Sequence, residues 1–260
     1  MAKLSKLSKM VAASKKNSIA EEFRNDLEYC IEQENKREYI PSKSFKPSGI
    51  SGCKRSLYYE LSGYVPDEEP PSSNLTGICE SGTDRHEAIQ DYVMKMKSYS
   101  IDCEWIDVGK YVKDNKIPYT QVLSQNGNET KLFSERYNLR FLCDGLIKYK
   151  GEYYILEIKT ESSSKFNNHT EPWPEHIMQA TCYSLVLEVD KVIFLYENRD
   201  ICTKKAMLVN VTPAMKDNVC NKMLDVEEYV VDGILPPKEL DKCKYCEYKS
   251  QCNKDGDSNE

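Results

Sequence analysis

Apolar positions along the chain fall first at helical and then at strand spacing. Ile19, Phe23, Leu27 and Ile31 recur every fourth residue, and Ser18 with Glu21 forms a capping box ahead of them, which predicts a helix from Ser18. The Lys- and Ser-rich stretch 1–17 reads as a basic, mobile arm, with a short helical pattern through Leu4, Leu7 and Val11. Residues 41–52 read as a loop, and the Pro-, Ser- and acid-rich stretch 65–76 as a surface linker. A second helix is expected over about 83–96. From about 104 to 160 the pattern is that of strands. The clearest pair, YNLRFLCDGLIKY and EYYILEIKT, turns at Lys150-Gly151 as an antiparallel hairpin. A helix follows over 174–189, then the strands KVIFLYENR and KKAMLVNVT. A last helix opens on Thr212 as N-cap with Pro213 at its first position and runs to about Val231. The expected class is α/β (α+β), a mixed central β-sheet flanked by helices. The chain divides into an arm (1–17), an N-terminal helical segment (18–80), a core (81–235) and a C-terminal segment (236–260).

Composition narrows the function classes. The 260 residues carry 36 Lys and Arg against 42 Asp and Glu, a net charge of −6. That balance excludes a protein that coats nucleic acid by bulk charge, though not one with a local basic groove. The longest apolar run, VIFLY at 192–196, is strand-sized and far short of a membrane span. Eleven Cys, an odd number, suit no closed disulfide framework. Residues 1–20 hold no apolar block of signal-peptide length and no Arg of the transit-peptide kind. The expectation is a reducing, cytoplasmic location with no membrane partner.

Two places carry chemistry. On the hairpin, Asp144 follows the apolar FLC, while Glu157 and Lys159 alternate with Ile158 and so share one strand face. Two carboxylates and an ammonium converging on an apolar sheet are costly without a cation, and spare carboxylate oxygens suit Mg²⁺ or Mn²⁺. An edge strand with solvated charges is the plainer alternative. In the tail, Cys243-x2-Cys246-x5-Cys252 lies in a stretch too polar to fold by burial alone. A bound metal supplies such stability. Zinc and an iron–sulfur cluster both suit thiolate ligands, and the fourth ligand must come from elsewhere in the chain.

Asp144 followed by Glu157-Ile158-Lys159 resembles the PD-(D/E)XK nuclease signature. Gly82-Thr83-Asp84-Arg85-His86 resembles the GTxxH motif of its RecB-like exonuclease branch, and Gln179 with Tyr183 the QxxxY motif, in the same order along the chain. The resemblance implies a restriction-endonuclease-like core over 81–235. It also implies a metal held by Asp144, Glu157, the Ile158 carbonyl and His86, with Lys159 serving the attacking water. Gln179 and Tyr183 would then position the DNA strand or the lysine. Phe141 stands where the family usually has Gly, and Cys143 where it often has Pro. A lone upstream Cys with C-x2-C-x5-C downstream is similar to the cluster-binding nucleases related to AddB and to the CRISPR-associated RecB-like exonucleases. By that likeness Cys53, Cys243, Cys246 and Cys252 hold a [4Fe–4S] cluster that clips the C-terminal segment to an N-terminal one. Cys79 and Cys30 are the fallbacks for the fourth ligand.

The function implied is a Mg²⁺- or Mn²⁺-dependent exonuclease on single-stranded or resected DNA ends, in recombination, repair or CRISPR adaptation. A helicase, a recombinase or a CRISPR adaptation protein is the expected partner. Arg55, Tyr58 and Tyr59, with Tyr245 and Tyr248 near the cluster, are candidates for DNA contact, and the loop 162–174 for bordering the groove, with His169 and Trp173 open equally to loop packing and to contact. The alternatives are an inactive cluster-bearing DNA-binding module and a zinc-stapled structural protein.

Overall fold

Neither Gly nor Pro occurs before Pro41, so nothing in the first forty residues stops a helix once begun. In the computed structural model, which describes residues 2–36, 39–67, 72–126, 129–239, 243 and 246–256, helix α1 accordingly runs through Ala2–Glu34. Residues 2–17 of the expected arm are therefore helical, and Ser18 lies inside the helix rather than capping it. Helix α2 (Lys54–Ser62) ends where Gly63 turns left-handed at φ 80°. Helix α3 (Ser73–Lys95) begins ten residues earlier than expected, with Ser72 Oγ accepting from the Leu75 amide. Residues 1–38 and 68–81 form one compact unit, and 39–67 with 82–260 form a second.

The second unit is built on a mixed sheet. Strand β1 (Cys103–Ile106) is followed by helix α4 (Val108–Asp114) and by three antiparallel strands, β2 (Thr120–Asn126), β3 (Glu129–Ser134) and β4 (Leu139–Cys143), which form a small sheet of their own. Next come β5 (Gly145–Tyr149), β6 (Glu152–Glu161), the short helix α5 (Ser163–Asn167), helix α6 (Pro174–Leu187), β7 (Lys191–Asn198) and β8 (Lys204–Asn210). The larger sheet has the order β1-β5-β6-β7-β8, with β6 and β7 parallel and the other pairs antiparallel. Helix α7 (Pro213–Asp232) and the short α8 (Lys249–Lys254) complete the chain.

The hairpin of β5 and β6 closes over Lys150 and Gly151, both at positive φ (50° and 85°), as a two-residue hairpin turn demands. One expectation needs correcting: YNLRFLCDGLIKY is two strands. The chain leaves the small sheet at Cys143, bends at Asp144 and enters the large sheet at Gly145. A Cβ at Gly145 would stand 2.5 Å from the Trp105 ring, so the bend is made where only glycine fits. Asp144 thus occupies the seam between the sheets.

Alternation along β6 sorts its residues onto two faces. Leu156 and Ile158 pack with Ile89 of α3, Cys103 and Ile147. Ile155 joins the larger core with Ala180, Cys182, Val186 and Leu187 of α6 and Val219, Met223 and Val226 of α7. Glu157, Lys159 and Glu161 lie on this second face by parity, beneath α6. Among the described residues, no helix is long and apolar enough to cross a membrane.

Candidate active site

The seam gathers the residues singled out from the hairpin. Asp144 Oδ2 accepts from the Ile158 backbone amide at 2.9 Å, which ties the bend to β6 opposite Glu157. Its carbonyl accepts from Gln90 Nε2 at 2.7 Å, so α3 also holds the bend. His86, one turn before Gln90 on α3, places Nδ1 3.7 Å from Asp144 Oδ2, an ion-pair distance longer than a hydrogen bond. Burial opposes charge on this imidazole, yet Asp144 carries its pKa above the ordinary histidine value.

Glu157 is the anomaly of the site. Its side chain is fully buried, and Lys159 Nζ lies 2.6 Å from Oε1. Lys159 is there as an ion-pair partner, and neither Oε1 nor Oε2 meets a well-aligned hydrogen-bond donor among the described residues. Burial, and then the charge of Asp144, push this carboxyl above the usual carboxylate range against the pull of Lys159. A buried carboxylate with both oxygens undonated carries a desolvation penalty that a divalent cation would offset. Glu129, on β3, is also raised, by burial and then by Asp144. The donors around Glu157 are hard oxygens and an imidazole, which fit Mg²⁺ or Mn²⁺.

Helix α6 completes the set. Lys159 Nζ donates to Gln179 Oε1 at 3.1 Å, and Gln179 Nε2 donates to the Tyr183 hydroxyl at 2.7 Å. Tyr183 packs on Phe141 with ring centroids 5.2 Å apart, so an aromatic fills the place where the resembled family has Gly. Burial and the nearby Glu157 and Asp144 keep the Tyr183 phenol well above its ordinary pKa. Asp144, His86 and Lys159 retain side-chain exposures of 17%, 22% and 20%, while the Glu157 side chain has none.

The cysteine expectation is also brought together. Cys53, at the N-terminus of α2, lines one small cavity with Cys243, Cys246 and Cys252. Burial pushes the Cys246 thiol up, and the neighbouring Cys53, Cys252 and Cys243 add to it. Cys30 and Cys79 are exposed residues of the first unit. Among the described residues, no three His, Cys, Asp or Glu side chains stand at single-ion distance.

The expected DNA contacts need correction. Arg55 is 1% exposed: it donates from Nε to the Pro236 carbonyl at 2.6 Å, from Nη1 to the Gly256 carbonyl at 2.7 Å, and from Nη1 toward Cys252 Sγ at 3.7 Å. Tyr59 is fully buried, with its hydroxyl 2.6 Å from Asp255 Oδ2. Tyr248 is buried and donates to Glu60 Oε2. These side chains hold the C-terminal segment and offer nothing to a strand; Tyr58 is half-buried, and Tyr245 lies outside the described residues. His169 and Trp173 likewise turn inward. Trp173 Nε1 donates to Glu161 Oε1 at 2.8 Å, and His169 Nε2 meets Glu161 Oε2 at 2.8 Å.

Sequence reasoning passed over three features. Gln90 was reachable, since it lies one turn beyond His86. His176 was reachable too, three residues before Gln179 on the same helix. The bidentate pair of Arg85 with buried Glu197, at 2.6 and 3.0 Å, was not, because it joins α3 to a distant strand.

The chain matches no protein-family model and no curated protein. Among solved structures it is similar to SSO0001, at 16% identity over 88% of this chain and 96% of that one, with a TM-score of 0.45. It is also similar to the alkaline exonuclease LHK-Exo from Laribacter hongkongensis, at 9% identity over 74% and 90% of the two chains, TM-score 0.45. The complex of LHK-Exo with dAMP matches at 11% identity over 74% and 89%, TM-score 0.42. At these values the likeness assigns no residue and no activity.

Proposed function

We propose that this chain is a metal-dependent deoxyribonuclease that hydrolyses phosphodiester bonds at single-stranded or resected DNA ends, with a structural [4Fe–4S] cluster. The observation that carries the reading is Glu157: a buried carboxylate with neither oxygen properly donated, facing Asp144 across a sheet seam, with an ammonium beside it. Asp144, Glu157, the Ile158 carbonyl and His86 would hold Mg²⁺ or Mn²⁺. Such an ion supplies a polarised water and positive charge toward the phosphate. Lys159 is held between Glu157 and Gln179, so its ammonium is fixed beside the water's path. Tyr183 accepts from the Gln179 amide and so turns the amide oxygen to Lys159, which gives that ammonium a second fixed partner besides Glu157. The helix–three strands–helix–strand order through α3, β1, β5, β6, α6 and β7 supports a restriction-endonuclease-like core.

Cys53, Cys243, Cys246 and Cys252 would hold the cluster, with zinc as the runner-up. Arg55 supports this reading, since a guanidinium donating toward Cys252 Sγ lowers the cost of gathering thiolates. With no motor motif in the chain, directional processing would fall to a helicase, recombinase or CRISPR adaptation partner in the cytoplasm.

The test is cleavage of end-labelled single- and double-stranded DNA with Mn²⁺ or Mg²⁺ by anaerobically purified protein. Digestion that requires metal and is abolished by Lys159→Ala and by Glu157→Ala supports the reading. Folded, brown wild type that binds DNA and cuts nothing would leave the cluster-bearing binding module instead. Colourless protein with stoichiometric zinc would favour the zinc-stapled structural protein.

A further inference from the structure

The site face extends past Lys159. Tyr196 on β7 is the direct neighbour of Lys159 in the parallel ladder, and its ring belongs to the core beneath α6. Its hydroxyl lies 2.9 Å from Nδ1 of His176, one turn before Gln179. The two rings are 5.8 Å apart, centroid to centroid. Lys159 is thus topped by Gln179, and its strand neighbour by His176.

The hydroxyl fixes the tautomer of the ring. In a phenol–imidazole pair the more acidic O–H donates to the more basic ring nitrogen, so Tyr196 donates to His176 Nδ1 and the imidazole proton resides on Nε2. Burial, followed by the charges of Lys159, Lys165 and His169, holds His176 down to about 3, so the ring is neutral wherever the protein works. A neutral, tautomer-locked imidazole presents one N–H donor in a fixed direction.

The surroundings select what that donor meets. His176 is half-buried and Lys165 is exposed, with its ammonium 5.5 Å from the Trp173 ring centroid. On the same strand face, Glu161 is occupied on both oxygens by Trp173 and His169. An exposed ammonium and an N–H donor beside an already satisfied carboxylate favour an anion.

We infer that His176 is a substrate-binding residue that donates from Nε2 to a non-bridging oxygen of a DNA backbone phosphate, with Lys165 adding charge. The inference rests on the nuclease reading and deepens it by extending the strand path from the carboxylates along α6 toward its N-terminus. A hydrogen bond from a neutral donor to a charged oxygen is worth about a tenfold change or more in binding.

The test is a methylphosphonate scan. One uncharged linkage is moved stepwise through a DNA oligonucleotide, and cleavage with Mn²⁺ is compared for wild type, His176→Ala and His176→Gln. Wild type should lose about tenfold in kcat/KM when one particular linkage is neutralised. His176→Ala should be slower by a similar factor on the natural strand and indifferent to that linkage. His176→Gln, whose amide N–H reaches the Nε2 position, should keep most of the rate and the sensitivity. Imidazole ¹⁵N spectra of wild type should report the Nε2–H form. A His176→Ala protein that melts like wild type and responds to every linkage as wild type does would overturn the inference, as would an Nδ1–H tautomer. Should wild type bind DNA without cutting it, the nuclease reading fails, and the same scan read as Kd still decides on His176.

Discussion

Arg55 offers the sharpest test of how the C-terminal segment is held. Its guanidinium is 1% exposed and spans two backbone carbonyls, Pro236 at 2.6 Å and Gly256 at 2.7 Å, with Cys252 Sγ at 3.7 Å as a third acceptor. Arg55→Ala removes these hydrogen bonds at once and leaves a cavity. Hydrogen bonds from a charged donor contribute about 1.5–3 kcal/mol each. Water reaching the freed carbonyls returns part of this, so the net loss should be about 3–4 kcal/mol, a large share of a total near 5–15 kcal/mol. At 2–4 °C per kcal/mol for a chain of this size, the melting temperature should fall by roughly 6–15 °C. Arg55→Lys should recover less than half, because one ammonium cannot reach both carbonyls with a planar fork. The assay is calorimetric or circular-dichroism melting at pH 7, with variants matched for metal content. Limited proteolysis should also cut the Arg55→Ala tail first. A variant melting within about 1 °C of wild type would refute the claim that this arginine clamps the segment.

Other expectations follow from the same contacts. Trp173→Phe keeps the ring but leaves Glu161 Oε1, on a 4% exposed residue, without its 2.8 Å donor; chemical denaturation should show a loss of about 1–3 kcal/mol. Gly145→Ala puts a Cβ 2.5 Å from the Trp105 ring and should cost about 1–3 kcal/mol. Adding Trp105→Leu should recover most of it, and a strictly additive double-mutant cycle would argue against the clash. His176 has its folded pKa lowered to about 3 from 6.5, so the unfolded chain takes up the proton first. Its effect on stability is nil above about pH 7 and becomes a loss as pH falls from 6.5 toward 3. Linkage allows about 2 kcal/mol at pH 5, and discounting for the half-exposed ring leaves about 1 kcal/mol. Wild type should therefore lose about 1 kcal/mol more than His176→Gln between pH 7 and pH 5, measured by urea titration.

The residues whose chemistry is local were legible in the sequence, and those joined by long-range pairing were not. Asp144, Glu157 and Lys159 could be placed together because a two-residue turn fixes the register of a hairpin and parity fixes the face. Gln179 and Tyr183 were found by their resemblance to the QxxxY motif, and Cys53 by the likeness of its segment to the upstream cysteine segment of cluster-binding nucleases. The break at Asp144 could not be seen, since YNLRFLCDGLIKY reads as one strand; it depends on Trp105 crowding Gly145 from a strand forty residues away. Arg55 and Tyr59 read as surface groups because a basic–aromatic run looks the same whether it meets DNA or a returning chain terminus. Only the Pro236 and Gly256 carbonyls and Asp255, about 180–200 residues away, decide between them. Tyr196 reaches the site through a parallel pairing whose register no local pattern specifies.

The claim at the centre is that Glu157 and Asp144 form a divalent-cation site. Its most direct measurement is the melting temperature as a function of Mn²⁺, for wild type and Glu157→Gln, in the absence of DNA. Wild type should rise with Mn²⁺ by the amount that RT ln(1 + [Mn²⁺]/Kd) dictates, about 2.7 kcal/mol at a hundredfold excess over Kd. Without Mn²⁺, Glu157→Gln should be at least as stable as wild type, because an undonated buried carboxylate has been replaced by a neutral amide, and its response to Mn²⁺ should vanish. Equal Mn²⁺ responses in the two proteins, or a Glu157→Gln protein that melts well below wild type without metal, would contradict the account.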